Sequence, residues 1–88
     1  MAIINTDDTE SKTSTQRWLI EVCQELLEIA DISLESDFFE MGAASLTVIR
    51  LISRVEQNYG HFPNLLEMIF EHSQLREIAD ILDKSLSR

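Results

Sequence analysis

Apolar residues recur at helical intervals in three separated stretches of this chain, with no hairpin signal or sustained strand-like alternation between them. Val48, Leu51, Ile52, Val55 and Tyr59 follow an i, i+3, i+4, i+7, i+11 stripe, the mark of one buried helix face. Leu19, Val22, Leu26 and Ile29 form a similar stripe upstream, and Leu75, Ile78, Ala79, Leu82 and Leu86 another downstream. Punctuation agrees with the period. Thr13 and Gln16 have capping-box spacing, which predicts a first helix over about residues 14–30. Asn58-Tyr59-Gly60 stops the middle helix on a glycine. Pro63 suits the first turn of a short helix over about residues 64–71, with Leu66, Ile69 and Phe70 inward and Met68 either outward or filling the core. Ser73 is expected to cap the last helix. The fold class is therefore all-α, three main helices and one short one.

With 88 residues, 44% of them hydrophobic, the chain has material for a single small core. Residues 1–12 are polar and acidic without periodicity and read as a flexible lead-in; residues 13–88 form the domain. The lone Cys23 permits no internal disulfide. Beside Leu19, Val22 and Leu26 it is expected to be a buried, inert thiol. Trp18 is expected to cover the core edge. No apolar run approaches bilayer length and no signal peptide opens the chain, which points to a soluble, cytoplasmic protein.

A net charge of −9 excludes nucleic acid as a natural partner, because a polyanion would be repelled. The charge is uneven: residues 1–40 hold ten acids against two bases, and the rest of the chain six against five. A protein approaching the middle helix therefore meets Arg50 and Arg54 and no continuous acidic stripe.

Between Asp31 and Ala44 the period fails. Ile32 and Leu34 alternate with polar residues, as in a long loop pinned to a core at intervals, and Asp37 can cap a single turn holding Phe38 and Phe39. So long a loop in so small a domain needs a reason. It ends in Gly42-Ala43-Ala44-Ser45, a small-residue turn with a hydroxyl immediately before the middle stripe, where a helix N-cap belongs. A phosphate ester on Ser45 would lie against free backbone N–H groups and the positive end of the helix dipole. Leu46 and Ile49 fall outside the buried stripe on the flank nearest Ser45. Either the helix buries a wider face or these two side chains are exposed for docking, with Arg50 and, from the short helix, Met68 beside them.

Phe38-Phe39-Glu40-Met41-Gly42-Ala43-Ala44-Ser45-Leu46 resembles the attachment motif of the peptidyl carrier proteins, the thiolation domains of non-ribosomal peptide synthetases. Phe62-Pro63 and Phe70-Glu71-His72-Ser73-Gln74-Leu75 resemble the start of that family's third helix and its junction with the fourth, so the likeness runs from about Gln16 to Leu86. Ala43 stands where the motif usually has a second glycine, and Ala44 where it has histidine or aspartate. The resemblance implies a right-handed four-helix bundle with a long first loop. It implies a 4′-phosphopantetheine arm on Ser45, installed by a phosphopantetheinyl transferase that uses coenzyme A and Mg²⁺ in its own site. An adenylation enzyme or domain would then load an amino acid or related acyl group as a thioester, for condensation, tailoring or thioesterase enzymes to process.

Nothing in the residues suggests catalysis by the chain itself. His61, His72 and Cys23 occupy separate predicted elements, no metal-ligand spacing occurs, and the carboxylates sit mainly on solvent faces. Two other readings fit the same residues: an acyl carrier of a fatty-acid or polyketide pathway, and a carrier-fold protein–protein adaptor without the arm, favoured by Ala43 and Ala44. A monomer is expected of a protein that must visit several enzymes. Both a free-standing protein and a domain of a synthetase fit this sequence.

Overall fold

The structure is a computed structural model that describes residues 12–86, so the expected lead-in lies outside the described residues except for Lys12. Four helices follow one another: α1 (Ser14–Leu27), α2 (Ser45–Tyr59), α3 (Leu65–Glu71) and α4 (Leu75–Leu86). Among the described residues the sole β-type pairing is an isolated bridge between Asp37 and Gln74.

α1 begins with the expected capping box: Gln16 N donates to Thr13 Oγ1 at 3.0 Å and Thr13 N donates to Gln16 Oε1 at 2.9 Å. The helix stops at Leu27, short of the expected residue 30, because Glu28 turns left-handed at φ 58°. Gln24 Nε2 then donates to the Ala30 carbonyl at 2.8 Å, closing the turn without a glycine. Ile29 thus reaches the core from the loop, half-buried.

α1 packs against α4 and α2, and α2 also against α3. Two cross-links set α1 and α2 antiparallel. Trp18, near the start of α1, meets Tyr59 at the end of α2 edge to face at 5.0 Å, while Glu25 pairs with Arg54 at 2.6 Å. Thr13 Oγ1 donates to Asp83 Oδ2 at 3.1 Å, placing the start of α1 beside the end of α4. Leu19 and Cys23 of α1, Val48, Leu51 and Val55 of α2, and Leu75, Ile78, Ala79 and Leu82 of α4 are fully buried between them. Of Leu86, the last member of the expected stripe, only the backbone is described.

The phase of α3 differs from expectation. Leu65 and Ile69 point inward, whereas Leu66 and Phe70 are 43% and 54% exposed. The helix starts at Leu65 behind a left-handed Asn64, so Leu65 and Ile69, four apart, take the buried row and their neighbours turn outward. Phe70 covers Phe39, with ring centroids 5.1 Å apart and 14° between the planes.

Ser73 also departs from expectation, since its hydroxyl does not cap α4. Ser73 Oγ donates to Asp37 Oδ2 at 2.7 Å, and the first N–H groups of α4 are taken by the long loop instead. Leu75 N donates to the Ser36 carbonyl at 3.0 Å and Arg76 N to the Leu34 carbonyl at 2.9 Å; in return Phe38 N donates to the Ser73 carbonyl at 2.8 Å. Arg76 clasps the Glu35 carboxylate across the same junction. Fastened this way, the loop drives Phe38 into the core with no exposure at all.

The Ser73 hydroxyl, followed by the N–H groups of Glu40 and Phe39, holds the Asp37 carboxyl below the usual carboxylate range against the opposing cost of desolvation. A carboxylate favoured in the folded state contributes stability that is complete above its unfolded value, about pH 4, and is lost as pH falls through the lowered folded value. Ser73→Ala should shallow that acid dependence: urea titrations between about pH 5 and pH 3 should show unfolding free energy falling less steeply for the variant than for the native chain.

Candidate functional site

The loop is delivered to α2 by one tight turn. Asp37 Oδ1 accepts from Phe39 N at 2.9 Å and Glu40 N at 3.1 Å, and the turn closes through Met41 N to the Asp37 carbonyl at 3.0 Å. Gly42 then takes φ 101°, a conformation closed to most side chains, though a Cβ there would meet nothing within 4 Å. Ala43 needs no such freedom, since its φ is not positive, and its methyl packs against the core. Glycine is therefore demanded once in this turn, and alanine serves at the next position.

Ser45 is the first helical residue and not the cap expected of it. The N-cap is Ala44, extended at φ −116°, ψ 179°. Thr47 does the polar work from the third helical position: its Oγ1 accepts from Ala44 N at 3.3 Å, half of a capping box. The signal for this was a threonine three residues beyond an alanine. Freed from capping, Ser45 is exposed, and among the described residues no group hydrogen-bonds to its Oγ. The N–H groups of Ser45, Leu46 and Thr47 stand in the first turn, where no helical carbonyl can reach them; the intrahelical ladder begins with Val48 N donating to the Ala44 carbonyl at 3.1 Å. No acid lies in that turn to compete for the positive end of the helix.

Leu46 and Ile49 are each 58% exposed, so the packed face of α2 is the stripe of Val48, Leu51 and Val55 with half-buried Ile52 and Tyr59, and does not extend to them. Arg50 is exposed beside them and has no ionic partner among the described residues. Arg54, one turn on, is occupied by Glu25. Met68 is half-buried and lines a shallow depression with His61, Phe62, Pro63 and Ser85, while Leu66 and Phe70 take the exposed apolar positions of α3. The pairing of Leu65 with Ile69 was the overlooked signal for that orientation.

The remaining reactive side chains stay apart. His61 Nδ1 lies 3.3 Å from Glu56 and His72 Nδ1 3.8 Å from Glu77, both at the surface. Burial pushes the Cys23 thiol up to about 12, which leaves it protonated and inert at neutral pH. Among the described residues no cluster of His, Cys, Asp and Glu could hold a metal, and no helix is long and apolar enough to cross a membrane.

Residues 17–82 match the family model described as "Phosphopantetheine attachment site". Similar curated proteins include a hybrid PKS-NRPS synthetase of Xenoacremonium sinensis, 40% identical over 82% of this chain, and a linear gramicidin synthase of Brevibacillus parabrevis, 36% identical over 77%. A nonribosomal peptide synthetase of Aspergillus rugulosus is 27% identical over 86% of the chain. The chain spans only 1–2% of the length of these three relatives. The group that defines the family, a covalently attached 4′-phosphopantetheine, fits what surrounds Ser45: an unengaged hydroxyl, small neighbours at Gly42, Ala43 and Ala44, and unpaired first-turn N–H groups suited to a phosphate.

Gly42→Ala should cost about 1–2 kcal/mol, all of it backbone strain, in chemical denaturation, and Ala43→Gly should recover none of that loss. Cys23 should resist thiol reagents in the native protein at pH 8, with labelling that follows the unfolding rate as urea is added.

Proposed function

This chain belongs to the phosphopantetheine-attachment family, and we propose that it is a peptidyl carrier whose Ser45 holds the prosthetic arm. The observation that carries the reading is the state of that hydroxyl, exposed at the first position of α2 with no hydrogen-bond partner among the described residues. A serine spent on capping would be fixed against its own backbone. Ser45 escapes that fate because Ala44 occupies the N-cap position and Ser45 follows it as the first helical residue.

When bound, the arm supplies a terminal thiol on which an amino acid or related acyl group is carried. The protein's own residues do the rest. The Asp37 turn and Gly42 hold the start of α2 in place, and the first-turn N–H groups favour an anionic ester at Ser45. Leu46, Ile49 and Arg50 form the surface against which successive enzymes dock. Tethering gives each of those enzymes a high effective concentration of cargo, so weak and brief contacts suffice. Catalysis belongs to partners: a phosphopantetheinyl transferase, an adenylating enzyme, and condensing or releasing enzymes like those of the synthetases this chain is similar to.

Incubation with coenzyme A, Mg²⁺ and a promiscuous phosphopantetheinyl transferase should add the mass of one phosphopantetheinyl group, read by intact-protein mass spectrometry. Ser45→Ala should add none. Modification that persists in Ser45→Ala would exclude this serine as the attachment point.

A further inference from the structure

We infer that the enzyme that modifies Ser45 seats an acidic side chain against Arg50, so that this strongly anionic protein is engaged through a local cationic contact; the inference rests on Ser45 being the attachment point. Ser45 and Arg50 are five residues apart on one helix, which is about 7–8 Å along its axis at 1.5 Å per residue and about 140° around it at 3.6 residues per turn. A protein–protein contact of standard size covers about 800 Å² on each partner, a disc of about 16 Å radius. Ile49 and Leu46, both exposed, lie between them around the helix, so a surface that reaches Ser45 Oγ along this side of α2 covers Arg50 as well.

What the covered arginine requires follows from its surroundings. Its neighbours at helical spacing are Leu46, Thr47, Ser53 and Arg54, none of them acidic. Arg54 is already satisfied by Glu25 at 2.6 Å, whereas Arg50 has no ionic partner among the described residues. Leu46 and Ile49, each 58% exposed, flank it and would be dried by an apolar partner surface. A guanidinium enclosed in such a contact loses its water, and a carboxylate opposite it, bidentate and of opposite charge, restores the loss most fully. Charge then acts at two ranges. The net charge of −9 favours a cationic partner at a distance, and Arg50 fixes the register on arrival through a carboxylate.

The test measures kcat/KM for phosphopantetheine transfer from coenzyme A to the full chain by a promiscuous transferase, at low and high ionic strength. Arg50→Glu is compared with Arg17→Glu, which makes the same change in net charge on the exposed face of α1. Circular dichroism confirms that both variants fold. At low salt Arg50→Glu should lose about tenfold, chiefly through KM, with the loss shrinking as salt is added, and Arg17→Glu should stay within about twofold of the native chain. Arg50→Lys should recover most of the rate. Equal rates for Arg50→Glu and Arg17→Glu, with the native chain modified normally, would overturn this inference and leave the carrier reading standing. Failure to modify the native chain would remove both.

Discussion

The junction between the long loop and the start of α4 is what the rest of the molecule depends on. A segment of this length in a small domain carries a large ordering cost, on the order of 1–2 kcal/mol for each residue fixed. It is offset here at few points. The carbonyls of Leu34 and Ser36 take the Arg76 and Leu75 N–H groups, Phe38 N returns a bond to the Ser73 carbonyl, and the Ser73 hydroxyl closes on Asp37. Each end of the exchange would otherwise carry unpaired backbone groups: those of an irregular loop on one side, the first turn of a helix on the other. Joining the two satisfies both and seats Phe38 in the core, where its removal would cost about 3–5 kcal/mol, a large part of a small domain's whole stability.

From that anchor the serine's position follows by short range. Asp37 belongs to both structures, since one carboxylate oxygen receives Ser73 and the other caps the turn at Phe39 and Glu40. Gly42 lies five residues beyond it and Ser45 eight, so the clasp on α4 and the start of α2 are separated by a single ordered turn. The stacked rings of Phe39 and Phe70 tie the same turn to α3. A displacement at the α4 junction would therefore be passed to Ser45 with little slack, although no side chain of α4 need touch the serine.

Legibility from sequence tracks how local each feature is. The α1 capping box, the α2 stripe and its Gly60 stop, and the Asp37 turn can all be read because their causes lie within a few residues. The end of α1 at Leu27 is not legible: Glu28 takes a left-handed angle that favours glycine, and the bond from Gln24 to Ala30 that closes the turn leaves no compositional mark. Ser73 reads as a helix cap because serine before an apolar run usually is one. Its partner, Asp37, is thirty-six residues away, and only the folded chain brings them together. Ser45 stands out by its flanks even though its backbone role lies one position from the one its spacing suggests. Leu66 and Phe70 are misplaced from sequence because in a two-turn helix a start shifted by one residue exchanges the buried row for the exposed one.

The same local economy explains how the turn into α2 forms with alanines at 43 and 44. A glycine is irreplaceable only where φ is positive, and Gly42 alone bears that demand in the turn. Ala43 spends its methyl on the core, and Ala44 contributes a carbonyl and an N–H to the start of α2, which any residue could supply. The side chain missing at position 44 is thus one that the fold does not use. Whatever a histidine or aspartate would add there faces solvent, and so would be felt by an approaching partner and not by the bundle. With that position reduced to a methyl, the polar character of the approach to Ser45 passes to the first exposed charge beyond it on the same helix, Arg50.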